Sequence, residues 1–195
     1  MWSWGNVTVT WGFPLMLVLA LWAGAGEVLP LVLAASVCHE LGHLTALRLA
    51  GVRAASARLS ALGAEIRADT RYMPYWRELG CVLAGPGVNL VLALVLARGA
   101  GAYTLAGANL LLGVYNLLPV PSLDGGAALR LLVSWGWGPG AADTVCRWVG
   151  LLCALALTAA AGTLAAVRHT GGFLLLAALG LIFSQLPLVK RRETG

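Results

Sequence analysis

Residues 28–50 form an apolar run long enough to cross a membrane, and its interior reads Ser36-Val37-Cys38-His39-Glu40-Leu41-Gly42-His43-Leu44-Thr45. That pairing of membrane length with two histidines and a glutamate narrows the fold more than any other feature. A segment of about 20 residues crosses the hydrocarbon core as a helix, because each backbone N–H and C=O must be paired within the segment. Residues four apart then share a face about one turn from each other, so His39 and His43 can bind one metal ion together. Glu40 stands beside them, placed to handle a water proton. Ionisable groups at such depth are costly to keep and point to function by default.

The rest of the chain has the same character. Of its 195 residues 59% are hydrophobic and only 11% charged, less than half the charged share of about 25% in soluble domains. The net charge of +5 comes from basic residues scattered among membrane-length segments. Topological bias accounts for it, and no nucleic-acid partner is expected. Eight tryptophans suit anchoring at the headgroup level. Cys38, Cys81, Cys146 and Cys153 show no CxxC spacing and read as small buried hydrophobes. No basic residue precedes the first apolar run, which argues against a cleaved secretory signal.

Taken in order, the chain reads as an all-α polytopic membrane protein, one domain over residues 1–195. Six transmembrane helices are expected at about 13–25, 28–50, 79–97, 103–118, 147–167 and 172–189. A short strand is expected near 6–11, and a membrane-associated β-hairpin or re-entrant region at about 52–72. The third span is interrupted by Ala84-Gly85-Pro86-Gly87-Val88-Asn89, which allows a kink and close helix approach. Asn89 at that depth needs a partner, either as glue between helices or in steadying a metal site. The fourth span ends in Asn116-Leu-Leu-Pro119-Val-Pro121-Ser122-Leu-Asp124-Gly125-Gly126, which breaks regular helix. Broken backbone at membrane depth survives only when buried in protein or facing a water-filled cavity, which puts Asp124 at a cavity wall. Helix resumes at 129–135, and 136–140 is a loop. With six spans, eleven of the thirteen basic residues fall on the side of the termini and only Arg98 and Arg168 opposite. Both termini are therefore expected in the cytoplasm of a bacterial cell, with the protein integral to its membrane.

A catalytic zinc site takes three protein ligands and a water, and a carboxylate is a common third. Among the eight acidic residues Glu40 is taken as base, Glu193 lies in the tail and Glu27 at the opposite face. Glu65, Asp69, Glu78 and Asp143 have charged, exposed surroundings. Asp124 alone arrives at membrane depth, so His39, His43 and Asp124 are the expected Zn2+ ligands. Zinc eases the ionisation of water toward a pKa of about 7. Glu40 then takes the proton and returns it to the leaving amine of a peptide bond. The bond must be locally extended, and a strand edge within 52–70 could hold it by strand addition. Two other classes compete: a metal-binding transporter, which would carry ionisable residues on several spans, and a catalytically silent scaffold, in which Glu40 would be dispensable.

With these motifs in place the chain resembles the site-2 protease family of intramembrane zinc metalloproteases. The resemblance rests on His39-Glu40-Leu41-Gly42-His43, on Ala84-Gly85-Pro86-Gly87-Val88-Asn89, and on Asn116-Leu-Leu-Pro119 leading to Leu123-Asp124-Gly125-Gly126. It implies zinc held by His39, His43 and Asp124, Glu40 as base, and Asn116 in the substrate or oxyanion region, with Asn89 a second candidate for substrate contact. It also implies a membrane protein or membrane-associated peptide as substrate, the lipid bilayer as surroundings, and membrane inhibitor or regulator subunits as partners. The layout is similar to the stage IV sporulation protein FB branch, without its CBS domain, which would make a sporulation sigma-factor precursor the substrate. Ser122 stands where that family often has proline, and Ala64 where it often has a second glycine.

Overall fold

The structure, a computed structural model, describes residues 2–4, 7–11, 14, 17–18, 21–22, 24, 26–52, 54–60, 63–99 and 101–168. Helix α1 (Leu29–Leu49) opens with Pro30 in its first turn, where a missing N–H removes no helix bond. It closes on Gly51 at φ +79°. There the Gly51 N–H donates to Arg48 O and the Val52 N–H to Leu47 O, a left-handed cap that pairs two terminal carbonyls. Arg48 in the last turn complements the negative end of the helix dipole.

Four short strands accompany this helix: β1 (Trp2–Trp4), β2 (Val7–Val9), β3 (Ala54–Ser60) and β4 (Gly63–Ala68). They form one sheet in the order β1-β2-β3-β4. β1 and β2 pair antiparallel, as do β3 and β4, with Ser60 opposite Gly63. β2 pairs β3 in parallel, Val7 opposite Ala57 and Val9 opposite Leu59. Such a pairing requires a crossover, and α1 lies within it. The all-α expectation therefore needs amending. Local reading gives a short strand near 6–11 and a β-hairpin or re-entrant region at about 52–72, but neither β1 nor the parallel pairing, which joins residues about fifty positions apart.

Past β4, Arg71 hydrogen-bonds Asp69 at 3.1 Å and holds its carboxyl below the usual carboxylate value. Thr70 donates to Glu78 at 2.7 Å, tying this link to the start of α2 (Tyr75–Leu96). α3 (Tyr103–Asn116) follows. The three helices touch through small residues. A Cβ on Gly42 of α1 would lie 2.8 Å from Ala84 O of α2, and one on Gly113 of α3 would lie 3.2 Å from Asn89 Cβ. Close approach through glycine is how apolar helices gain van der Waals contact where water supplies no drive.

The chain divides after Asn116 into two units, Met1–Asn116 and Leu117–Gly195. The second contains α4 (Asp124–Trp137) and α5 (Pro139–Arg168). Its core includes Val120, Ala142 and Ala154, each wholly buried, and Arg130 pairs with Asp143 at 2.7 Å on the surface. Two boundaries differ from expectation. α4 begins at Asp124 itself, five residues before the expected start at 129. The expected loop at 136–140 shrinks to Gly138, at φ +84°, after which Pro139 starts α5.

Leu29–Leu49, Tyr75–Leu96 and Pro139–Ala160 are long and apolar enough to cross a membrane, which makes this an integral membrane protein. The expected span at 147–167 lies within α5. α3, expected as a span over 103–118, has 14 residues, about 21 Å of helix against a hydrocarbon core of about 30 Å. The expected spans at 172–189 and, for most of its length, 13–25 lie outside the described residues. All four cysteines are unbridged, with Cys81 and Cys146 buried.

Candidate metal centre

His39 is the eleventh of the 21 residues of α1, so it sits midway along a helix of membrane length. Glu40 and His43 follow on the same helix, both half-buried, while His39 is buried. The rings of His39 and His43 meet edge to face, centroids 4.8 Å apart, and their Nε2 atoms are 3.1 Å apart.

Each ring is held from behind. His43 Nδ1 is 2.8 Å from the carbonyl oxygen of Cys81 on α2. A carbonyl can only accept, so this nitrogen carries the proton and donates. His39 Nδ1 is 2.6 Å from Asn89 Oδ1. The sense of that amide is decided on its other side, where Asn89 Nδ2 donates to Ala35 O at 3.0 Å and to Asn109 Oδ1 at 2.9 Å. With Nδ2 facing these two acceptors, Oδ1 faces His39, and His39 Nδ1 donates to it. Both imidazoles therefore carry their protons on Nδ1, and both present Nε2 lone pairs 3.1 Å apart.

Two nitrogens bound to one zinc at about 2.05 Å and the tetrahedral angle stand about 3.3 Å apart. The pair is thus spaced for one metal ion, and each Nδ1–H has the outer partner that metal-binding imidazoles require. Space for His43 comes from Gly85: a Cβ built there would lie 2.2 Å from His43 Nε2.

Asp124 is the first residue of α4 and is half-buried. Its turn is set by backbone proximity, since a Cβ on Gly125 would lie 2.1 Å from Leu117 O and one on Gly126 2.1 Å from Val120 O. Leu123 N–H donates to Val120 O, and Leu123 O accepts from Gly126 and Ala127. His39, His43 and Asp124 form a group that could hold a metal, one ligand atom from each. Two imidazole nitrogens and a carboxylate oxygen are a zinc donor set.

The two asparagines singled out in the sequence are placed differently. Asn89 is wholly buried, and besides His39 and Ala35 it donates to Asn109 Oδ1 at 2.9 Å. Both its N–H groups are thus engaged within the protein, and its oxygen faces His39. Asn116 ends α3 and donates to Leu112 O at 3.0 Å in its own helix. Asn109, also buried, was missed in the sequence. It lies in no motif, and its one signal is an amide in the apolar middle of a helix.

Comparison with known proteins places these features in context. No protein-family model matches the chain. A zinc metalloprotease of Methanocaldococcus jannaschii is 33% identical over 113 residues, covering 52% of this chain and 33% of that protein. Rip3 of Mycobacterium tuberculosis is 34% identical over 141 residues, covering 61% of this chain and 33% of its own length. The chain thus spans about a third of the length of these relatives. The site-2 protease from Methanocaldococcus jannaschii superposes with a TM-score of 0.70 at 26% identity, over 95% of this chain and 92% of that one.

Proposed function

We infer that this chain, a homologue of zinc metalloproteases of the site-2 protease family, is an intramembrane zinc endopeptidase. The observation that carries the reading is the imidazole pair, both Nδ1 protons committed and both Nε2 atoms converging at 3.1 Å. His39, His43 and Asp124 are the ligands. When bound, zinc supplies Lewis-acid chemistry, polarising a peptide carbonyl and easing the deprotonation of water. Glu40 takes that proton and delivers it to the departing amine. Asn116, at the end of α3, is assigned to the substrate side.

The substrate is a transmembrane or membrane-associated protein segment. Two observations favour that class: the histidines lie midway along a helix of membrane length, and β4 closes one end of the sheet order. Among the described residues β4 pairs only with β3, so its outer N–H and C=O groups can accept an extended segment as an added strand. On a six-span layout, which counts the short α3 and the expected spans at 13–25 and 172–189 as crossings, the distribution of basic residues puts both termini in the cytoplasm. Membrane regulator subunits and a sigma-factor precursor belong to the sporulation branch and rest on its motif layout alone.

The test is a Glu40→Gln variant reconstituted with a membrane-anchored candidate substrate. Cleavage should fall by about 10²- to 10⁴-fold, the range of general-base catalysis, at unchanged zinc content. Cleavage at the wild-type rate in that variant would refute the assignment.

A further inference from the structure

We propose that Asn109, on α3, is a positioning residue for the metal centre, acting through Asn89 to fix which ring nitrogen of His39 carries the proton. The inference rests on the reading of His39 as a metal ligand. A relay of hydrogen bonds leads to it from a backbone carbonyl. Leu105 O can only accept, and Asn109 Nδ2 donates to it at 2.9 Å. That fixes the sense of the Asn109 amide and leaves its Oδ1 toward α2, where Asn89 Nδ2 donates to it at 2.9 Å. The second N–H of Asn89 goes to Ala35 O, and its Oδ1 accepts from His39 Nδ1 at 2.6 Å.

Every group in the relay has one permitted role. Turning the Asn89 amide over would set its oxygen against two acceptors, Ala35 O and Asn109 Oδ1. It would also bring an N–H toward His39 Nδ1, driving the ring proton to Nε2 and removing the lone pair that a metal needs. Asn109 supplies one of the two acceptors that forbid this. Asn89 and Asn109 are both almost wholly buried, so water cannot take over its part.

Glue between helices is the competing role for such a pair, and it differs in what it moves. Glue affects stability alone, whereas a positioning residue alters the His39 tautomer and the affinity for metal. The chain has three histidines, so the ¹⁵N shifts of their rings can be assigned in the full-length, metal-free protein in detergent. Wild type should show His39 protonated on Nδ1. Asn109→Leu, similar in size but without an acceptor, should populate the Nε2-protonated form and weaken zinc binding about tenfold in chelator competition, the low end of the range for outer partners of a ligand. Asn109→Asp, with its buried carboxyl neutral, donates to Leu105 O through its O–H and keeps an oxygen for Asn89 Nδ2, and should retain the wild-type His39 spectrum and zinc affinity. If Asn109→Leu does not fold, Asn109→Ala takes its place with the same expectation. Unchanged His39 shifts and zinc affinity in the apolar variant would overturn the proposal, as would an equal loss in Asn109→Asp. Wild-type protein that takes up no zinc would defeat the metal reading, while the His39 shifts would still decide the role of Asn109.

Discussion

Gly85 separates what a helix wants from what the metal centre needs. An alanine there would improve the intrinsic helix preference of α2 by roughly 0.5–1 kcal/mol. Its Cβ, however, would fall 2.2 Å from His43 Nε2, inside any permitted contact distance, and the imidazole would have to leave its place above Cys81 O. Gly85→Ala should therefore keep its helix content in circular dichroism while zinc affinity drops at least tenfold, a loss comparable with removing an outer partner of a ligand. Wild-type zinc affinity in that variant would mean that His43 does not need its present position. The motif around Gly85 was visible in the sequence, but as a signal for kinking and close helix approach. That the glycine makes room for one imidazole depends on the rotation of α2 against α1, which no local pattern records.

Among the elements, α4 shows best where sequence reading stops. Pro119, Pro121 and the glycine pair were read as broken backbone running on to about 129, whereas the helix starts at Asp124 with Leu123 as its extended cap residue. The overlooked signal was an acidic side chain in a first turn, where it complements the positive end of the helix. The same oversight turned 136–140 into a loop, although glycine after one helix and proline opening the next mark a tight junction. What the pattern could not carry is how closely residues 117–121 pass over the start of α4. A Cβ on Gly126 would lie 2.1 Å from Val120 O and 2.8 Å from Pro121 Cα, both rigid backbone. Gly126→Ala should cost roughly 1–3 kcal/mol, as overpacking does, and lower the thermal midpoint in detergent. Because Asp124 lies two residues away on the same turn, zinc occupancy should fall with it. A variant with wild-type midpoint and occupancy would show that the turn yields without strain.

At the scale of the whole molecule the group that could hold a metal was more legible than the fold. His39 and His43 follow from helical spacing, and Asp124 from the cost of an acid at membrane depth, so chemistry alone selected three residues spread over 85 positions. Chemistry could not reveal the parallel pairing of β2 with β3, whose partners are equally far from any local rule. A metal held by residues so separated in sequence binds the folded chain and not the unfolded one, and so adds stability as RT ln(1 + [L]/Kd), about 2.7 kcal/mol at a hundredfold excess over Kd. For a chain of this size each kcal/mol moves the midpoint by about 2–4 °C. Chelation should then lower the thermal midpoint in detergent by roughly 5–10 °C, and added zinc should restore it. Asp124→Ala tests the set most sharply, since it removes a proposed ligand and leaves both imidazoles and their outer partners in place. Its midpoint should respond to zinc only weakly, the two histidines alone being a poor site. A full zinc-dependent rise in Asp124→Ala would strike Asp124 from the ligand set and move the search for the third donor elsewhere.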